Sequence, residues 1–420
     1  MAEAAALPLE EFDLFAQPPI QGSVSERLLT KHRPLSVLDS KQIIEFVIPT
    51  AVDEYALLFD TYLYLRVKVT PKATSGTFSW NDLKFAKYPI ASIFKSVEVI
   101  VGDKNLTLSP QTYPYRAYFE TILKHGKRAQ DTWLSAGAFD GNVFATVPSS
   151  QNDYTYEMFG RLHVDLANQP RAILGGCNLH IRLTPHSPDF YFIKSGTVNS
   201  ANISFEECYL YMYRAKVSPE IVAGHTAALQ VSPARYPITR AEVKAYTIQA
   251  SRLEAFFDNV VVGQLPRRVF VALVNNAAFL GDMAKDPFKF EHFNTNYLSL
   301  YINGVQYPSI PFKPDFTNGT YIREYFEFLR AADQLTGIPQ TTIIRANYSN
   351  DNVIFGVNLT PDNTFGYIED GRINEPRTGV LRLEIRFSST LAEAVTALIY
   401  CEYDNNIYIN TDRNAFTDYN

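Results

Sequence analysis

Two stretches of this sequence repeat one pattern and decide the fold. The first reads Ser96-Val97-Glu98-Val99-Ile100-Val101-Gly102-Asp103-Lys104, and Tyr113-Pro114-Tyr115-Arg116-Ala117-Tyr118-Phe119-Glu120 follows it. The second reads Tyr297-Leu298-Ser299-Leu300-Tyr301-Ile302-Asn303-Gly304-Val305, and Tyr321-Ile322-Arg323-Glu324-Tyr325-Phe326-Glu327 follows it. Each stretch has the alternation of a strand, a glycine turn and then the apolar stripe of a helix. The order of these elements is the same in both.

The repeated residues lie at nearly constant offsets. Gly304 follows Gly102 by 202 residues, and Arg323 follows Arg116 by 207. Two further matches occur in the same order, at offsets of 196 and 204 residues: Phe159-Gly160-Arg161-Leu162 with Phe355-Gly356-Val357-Asn358, and Leu179-His180-Ile181-Arg182-Leu183 with Leu383-Glu384-Ile385-Arg386-Phe387. Four matches in chain order predict two tandem copies of one β-rich domain.

The composition fits this duplication. A chain of 420 residues divides into two domains of about 180 residues, each large enough to fold without metals or disulfides. The chain has 26 Tyr and 29 Phe against 2 Trp, with 24 Pro and 20 Gly. Many aromatic residues together with many turn formers are typical of short strands joined by turns. The predicted fold class is therefore all-β, built from two tandem β-sandwiches with few short helices in the loops.

The division of the chain follows from these patterns. Residues 1–40 are predicted to form an N-terminal arm, either disordered or ordered against a neighbouring subunit. The first sandwich is placed at 41–218, a linker at 219–236, the second sandwich at 237–410 and a C-terminal tail at 411–420. The helical stripe over residues 115–123 predicts a helix. The predicted strands include 162–166 and 343–346.

Charge and cysteine content exclude several function classes. The net charge is −6, and the longest basic run, 124–128, is short, so direct binding of nucleic acid is not expected. Cys208 and Cys401 fall inside strand patterns and are predicted to be free, buried thiols, which indicates folding in a reducing compartment. No apolar run is long enough to span a bilayer, and the first residues are acidic where a signal peptide is basic.

Motifs that carry catalysis are missing from the sequence. HExxH, CxxC, GxSxG, GxGxxG and the Walker A loop do not occur. The closest histidine pair is His180 and His186, which lie in or beside a predicted strand and have no third ligand nearby in sequence. We therefore predict that the chain is not an enzyme and that it holds no metal or cofactor.

Several strings resemble the major capsid proteins of Polinton/Maverick elements and their adintovirus relatives. In the second half they lie at residues 263–279, 286–294, 300–309 and 314–316. In the first half they lie at 113–118 and 160–163, and the chain ends with a further match at 400–405. The arm is similar through Asp13-Leu14-Phe15 and Pro18-Pro19. The resemblance covers nearly the whole chain and departs mainly at 124–157 and 336–340.

The resemblance implies a hexon-like double jelly-roll protein. Three copies would form a pseudo-hexameric homotrimer, many trimers would tile an icosahedral virion capsid, and minor capsid or penton proteins would be partners. The protein would be made in the host cytoplasm and assembled there or in the nucleus. Segments 124–157 and 304–340 would be towers, trimer-locking loops or plain surface loops. The residues assigned to assembly or to the fold signature are Phe12, Phe15, Tyr115, Arg116, Arg267, Phe288, Phe290, Gly304 and Arg323.

Two alternatives stay open at this point. Paired sandwiches also occur in carbohydrate-binding and deglycosylating proteins, which usually are secreted and carry disulfides. A domesticated, capsid-derived host protein would have a very similar sequence. Intact motifs along the full length favour a working capsid protein over the domesticated copy.

Overall fold

The computed structural model describes residues 20–73, 79–107, 110–148, 150–196, 198–335, 339–366 and 370–419. Phe12 and Phe15, and part of the 336–340 loop, lie outside the described residues. The strands of the first half are β1 (Val24–His32), β2 (Ile44–Ile48), β3 (Glu54–Ala73), β4 (Leu83–Phe85), β5 (Phe94–Val101), β6 (Lys104–Asn105), β7 (Tyr154–Arg161), β8 (Leu179–Pro185), β9 (Phe192–Lys194) and β10 (Val198–Val217).

The second half repeats this series of strands. They are β11 (Ala234–Ile248), β12 (Glu254–Gln264), β13 (Arg268–Asn275), β14 (Thr295–Ile302), β15 (Val305–Phe312), β16 (Ile354–Asn358), β17 (Thr378–Phe387), β18 (Val395–Ile409) and β19 (Ala415–Thr417). The helices are α1 (Pro89–Ser92), α2 (Tyr113–Lys124), α3 (Lys127–Gln130), α4 (Pro188–Tyr191), α5 (Pro219–Val231), α6 (Asn276–Leu280), α7 (Ile322–Ala331) and α8 (Arg345–Asp351).

The strand order proves that the two halves are copies. The first half has sheets β1-β10-β3-β7 and β2-β8-β5-β6, and the small pair β4-β9 stands apart. The second half has sheets β11-β18-β13-β16 and β12-β17-β14-β15, with β19 added beside β18. We leave out β4, β9 and β19 and number the remaining eight strands of each half in chain order. Both halves then have sheets with the strand orders 1-8-3-6 and 2-7-4-5, and all neighbouring strands are antiparallel. Two sheets connected in this way form a jelly roll, so the predicted double jelly roll is confirmed.

Each sandwich is filled by alternate residues of its strands. In β3, Leu63, Leu65, Val67 and Val69 are buried and alternate with exposed or half-buried residues. Strands β13 and β18 instead contain continuous buried runs. A strand loses its alternation when both of its faces are covered. The second sandwich is thus covered on the outside as well as packed on the inside.

The helix predicted over 115–123 is confirmed as α2. It lies between the fifth and sixth strands of its jelly roll, and α7 occupies the same position in the second jelly roll. Helix α5 connects the two halves. The pair of helices in matching positions accounts for the repeated helical segment in the sequence.

Some predicted elements are wrong. Residues 162–166 do not form a strand and end in a 3₁₀ turn at Asp165–Ala167, while 343–346 lead into helix α8. Residues 162–166 are all buried, whereas in 343–346 only Ile343 is buried and Ile344 is 56% exposed. Short apolar runs do not distinguish strands from other segments. Strand β12 was not predicted. The 124–157 segment is not only a surface loop, because Leu134, Phe139 and Phe144 are buried in the core.

Strand β1 lies inside the segment predicted as an arm. It pairs with β10 from Val24 to His32, although most of its side chains are exposed. An edge strand can be held by backbone hydrogen bonds without apolar alternation, so its sequence gives little signal. Likewise β11 begins at Ala234 within the predicted linker, and β19 lies in the predicted tail. The proposed domain boundaries remain predictions.

The turn between β14 and β15 supports a stability prediction at Gly304. Ile302 pairs with Val305 across a two-residue turn, in which Asn303 has φ 49° and Gly304 has φ 85°. No atom would contact a Cβ at Gly304, so a substitution there is opposed by the backbone alone. We expect Gly304→Val to lower the free energy of unfolding by roughly 1–3 kcal/mol. Thermal unfolding of the variant measures this loss as a lower Tm.

Gly224 provides the matched control. It lies in helix α5, and a Cβ there would also meet open space. Because Gly224 has no positive φ, Gly224→Val is expected to keep or slightly raise Tm. An equal decrease in both variants would contradict the assignment of the loss to the left-handed backbone of the turn.

Candidate assembly surfaces

Helix α2 joins the two jelly rolls through an aromatic cluster. The ring of Phe119 stacks on Phe290 at 5.2 Å and on Tyr400 at 5.3 Å, between ring centres. Tyr118 lies 4.8 Å from Phe288, and Tyr115 lies 5.5 Å from the same ring. These rings bury large apolar areas in favourable stacked and tilted geometries. The two jelly rolls are therefore held as one block at this junction.

A buried network of charges lies beside this cluster. Arg116 of α2 donates from Nε to Glu120 Oε1 at 2.9 Å and from Nη2 to Asp165 Oδ1 at 2.6 Å. The same Asp165 oxygen accepts the backbone N–H of Ala241 in β11, at 3.1 Å. Glu120 also contacts His163 Nδ1 at 2.8 Å. The carboxylate of Asp165 thus links helix α2 of the first jelly roll to β11, an edge strand of the second.

The network fixes the charge state of Glu120. Burial alone would raise the pKa of this carboxyl, but Arg116 and then His163 outweigh the burial and hold the pKa well below its usual range. Glu120 is consequently ionised in the folded protein at any physiological pH. Removing its cationic partner would leave a buried, uncompensated charge, which is strongly destabilising.

A second buried charge cluster lies on the neighbouring strands. Arg268 donates from Nε to Glu402 Oε2 at 2.7 Å, and Arg267 donates from Nη2 to the same oxygen at 3.1 Å. Tyr400 donates its hydroxyl to Glu402 Oε1 at 3.0 Å. Arg268 also donates to the carbonyl of Ala331 at the end of α7. The cluster therefore attaches α7 to the sheet of its own jelly roll.

The pKa of Glu402 reflects these partners. Burial raises the pKa, but Arg268 and Arg267 more than offset this effect and set it at about 2. Glu402, Arg268, Tyr400 and Phe270 share one face of their sheet, because Arg268 pairs with Glu402 and Phe270 with Tyr400. Phe119 of α2 contacts Tyr400, and Phe328 of α7 contacts Phe270, so helices and not the partner sheet lie on this face. We call this surface the second outer face. It is covered by α2 and α7.

The structure brings together four of the predicted residues. Tyr115, Arg116, Phe288 and Phe290 meet at the junction of the jelly rolls, which is a fold-defining position. Arg267 belongs to the adjoining charge cluster. Gly304 and Arg323 lie elsewhere: Gly304 makes the β14–β15 turn, and Arg323 donates to the carbonyls of Pro311 and Ile310. For all of these residues a role in assembly remains a prediction.

A half-exposed aromatic surface was missed at the sequence level. It consists of Tyr62 and Tyr64 of β3, Phe159 of β7, and Tyr209 and Tyr211 of β10, which are direct neighbours across the strands. Tyr62 stacks on Phe159 at 5.3 Å, and Tyr64 stacks on Tyr209 at 6.0 Å. We call this surface the first outer face. In the sequence, this face could have been recognised from the tyrosines that alternate with buried aliphatic residues in β3 and β10.

The described residues contain no cluster of three or more His, Cys, Asp or Glu side chains placed to hold a metal ion. The three cysteines are free and buried, as predicted for Cys208 and Cys401. Burial raises the pKa of the Cys177 thiol to about 11 and those of Cys208 and Cys401 to about 12, so the thiols stay protonated and unreactive. No helix within the described ranges is long and apolar enough to cross a membrane.

Comparison with known proteins gives one similar sequence over most of the chain and solved structures of the same fold over nearly all of it. No protein-family model matches. An uncharacterized protein of Caenorhabditis elegans, F54H12.2, is 23% identical over 399 residues, which cover 89% of this chain and 93% of the nematode protein. Its name assigns no activity.

Solved structures with the same fold come from viruses. A chain of the Sputnik virophage aligns with a TM-score of 0.63 and 13% identity, covering 98% of this chain and 92% of that one. The Faustovirus major capsid protein aligns with a TM-score of 0.61 and 9% identity, over 97% and 93% of the two chains. The mavirus major capsid protein aligns with a TM-score of 0.53 and 9% identity, covering 100% of this chain and 94% of that one. The chain therefore has the double jelly-roll fold of viral major capsid proteins over its entire described length.

Proposed function

We propose that this chain is a structural major capsid protein. The observation that carries the proposal is that both jelly rolls, and the junction between them, align end to end with capsid proteins of several viruses. Fold alone does not define function, but the half-exposed aromatic residues of the first outer face are suited to association with another protein surface. The protein would act as a building block and not as an enzyme.

The proposed capsomer is a homotrimer with six jelly rolls in a ring. A closed ring requires two different surfaces on each subunit that fit one another. Tandem copies that have diverged in sequence supply such surfaces. The first jelly roll presents its half-exposed outer face, whereas the second presents helix α7, which covers its own outer face. Trimers would then tile an icosahedral shell together with minor capsid or penton proteins. The sequence resemblance supports a relationship to Polinton/Maverick and adintovirus capsid proteins, with the protein located in the virion.

Light scattering of the purified chain tests the proposal. We expect a mass three times the 47.5 kDa of one chain, and electron micrographs of the same fractions should show hexagonal particles or shells. A monomer at all concentrations would contradict the capsid proposal. Binding of glycans by such a monomer would instead favour the carbohydrate-binding alternative.

One observation supports a second candidate, a capsid-derived protein of an animal genome. The curated relative belongs to a nematode and matches over 93% of its length. Such a protein would keep the fold and lose the ability to form shells. Trimers that never assemble into shells, alone or with a minor capsid protein of the same element, would favour this candidate.

A further inference from the structure

The helices α2 and α7 carry the same motif but differ in what covers them. Arg-x-Tyr-Phe-Glu occurs at residues 116–120 and again at 323–327. Phe119 in the first motif is fully buried, whereas the equivalent Phe326 is 53% exposed. Tyr115 is 2% exposed, and its equivalent Ile322, four residues before Phe326, is 53% exposed. An apolar stripe that is buried on α2 is thus open on α7.

The contacts that α2 makes indicate which contact is missing on α7. Through Phe119, α2 is stacked on Tyr400, at the centre of the second outer face. This contact joins the first jelly roll to the second within one chain. The equivalent contact would join the second jelly roll, through α7, to the outer face of a first jelly roll. Within the described residues of one chain, no such contact covers Phe326.

The first outer face is suited to receive this helix. Its rings are partly exposed, including Phe159 at 37%, and they form a continuous surface from Tyr62 to Tyr211. Arg161 and Lys31 lie at its rim, with Lys31 Nζ 3.5 Å from the centre of the Tyr209 ring. Half-exposed tyrosine surrounded by charge is typical of the centre and rim of a protein interface.

We infer that α7 of one subunit docks through Ile322 and Phe326 on the first outer face of a second copy of the chain. This contact repeats the internal contact of α2, so each subunit offers one helix and receives another. Because the two surfaces differ, the contact is heterologous, and in the proposed trimer three such contacts close into a ring. The inference rests on the proposed trimer and specifies its interface.

Cross-linking tests the inference on the full-length chain. The double variant Phe326→Cys with Tyr211→Cys, treated with a short bismaleimide, should give covalent dimers and trimers on denaturing gels. Each single variant should stay monomeric on the same gels, because like positions do not meet in a heterologous contact. The native cysteines do not interfere, since all three are buried.

A substitution with a matched control gives an independent readout. Phe326→Glu should raise the concentration at which trimers dissociate at least tenfold. It should not change the Tm measured at concentrations where both proteins are monomeric, because the side chain is half exposed. Phe256→Glu alters a phenylalanine of similar exposure, 43%, on β12, and it should leave the trimer intact.

The outcomes separate this inference from the proposed function. A wild-type trimer whose double variant fails to cross-link, or whose Phe326→Glu variant associates normally, would overturn the interface and leave the capsid function standing. Covalent dimers from either single variant would also overturn it, by showing a symmetric contact. A wild-type chain that is monomeric would refute the proposed function and the interface together.

Discussion

Replacing Arg116 with methionine is expected to lower the free energy of unfolding by about 3–5 kcal/mol. The side chains of Arg116, Glu120 and Asp165 are each no more than 8% exposed. Methionine fills a similar volume but leaves two carboxylates without their cation in a site that water does not reach. Urea denaturation at neutral pH measures the loss, and a large decrease in the midpoint is the expected result.

Two further variants make this prediction specific. Lys127 and Asp131 form an ion pair at the surface with the same i, i+4 spacing, and Lys127→Met should not change the midpoint measurably. Replacing Arg116, Glu120 and Asp165 together by apolar residues of similar size should recover much of the stability, because no unpaired charge remains. If the triple variant is no more stable than Arg116→Met, the loss does not come from uncompensated charge.

The Arg116 network has a consequence for the proposed assembly. It anchors the first jelly roll to β11 of the second, while the aromatic rings of α2 fill the space beside it. Charges inside an interface fix one geometry, since a shifted arrangement would leave them unpaired. The subunit thereby keeps the angle between its jelly rolls. A fixed angle is what a closed ring of three such subunits needs.

The duplicated β-sandwich could be predicted from the sequence because its signals are local and occur twice, whereas the jelly-roll connectivity was implied by the resemblance. Gly102 and Gly304 mark equivalent turns, and the apolar stripe of α2 gives its helix directly. Strand β1 could not be found in this way, because most of its side chains face solvent and only its backbone pairing with β10 holds it. Apolar runs such as 162–166 are buried without being strands, and only the three-dimensional structure distinguishes the two cases.

The candidate surfaces were predictable only in part. Tyr115, Arg116, Phe288 and Phe290 were identified from the resemblance, but nothing local shows that α2 inserts them between the jelly rolls. The exposure of Phe326 is equally invisible in sequence, since Phe119 has the same motif around it and is buried. The difference depends on which residues distant in the chain cover each helix.

Acid is expected to destabilise the protein through Glu402. Its pKa is about 2 in the folded state and near 4.5 when unfolded. A carboxyl whose folded pKa is depressed contributes its full stability above the unfolded pKa, and the contribution is lost as the pH falls towards the folded pKa. The window is therefore from about pH 4.5 down to about pH 2, and the contribution is roughly 3 kcal/mol. The pKa of Glu120 is also depressed, so its contribution to stability is likewise lost as the pH falls.

The variant Glu402→Gln isolates this contribution, because glutamine does not titrate. At pH 7 it should be less stable than wild type by roughly 3 kcal/mol, since Arg267 and Arg268 lose their anion. The difference should shrink as the pH falls and nearly vanish close to pH 2, where Glu402 in the wild type becomes protonated. Urea midpoints at several pH values measure it. Glu26→Gln, at an exposed position on β1, should follow wild type throughout. A constant difference in urea midpoint between Glu402→Gln and wild type across the window would contradict this prediction. It would show that the loss comes from altered packing and not from the charge of Glu402.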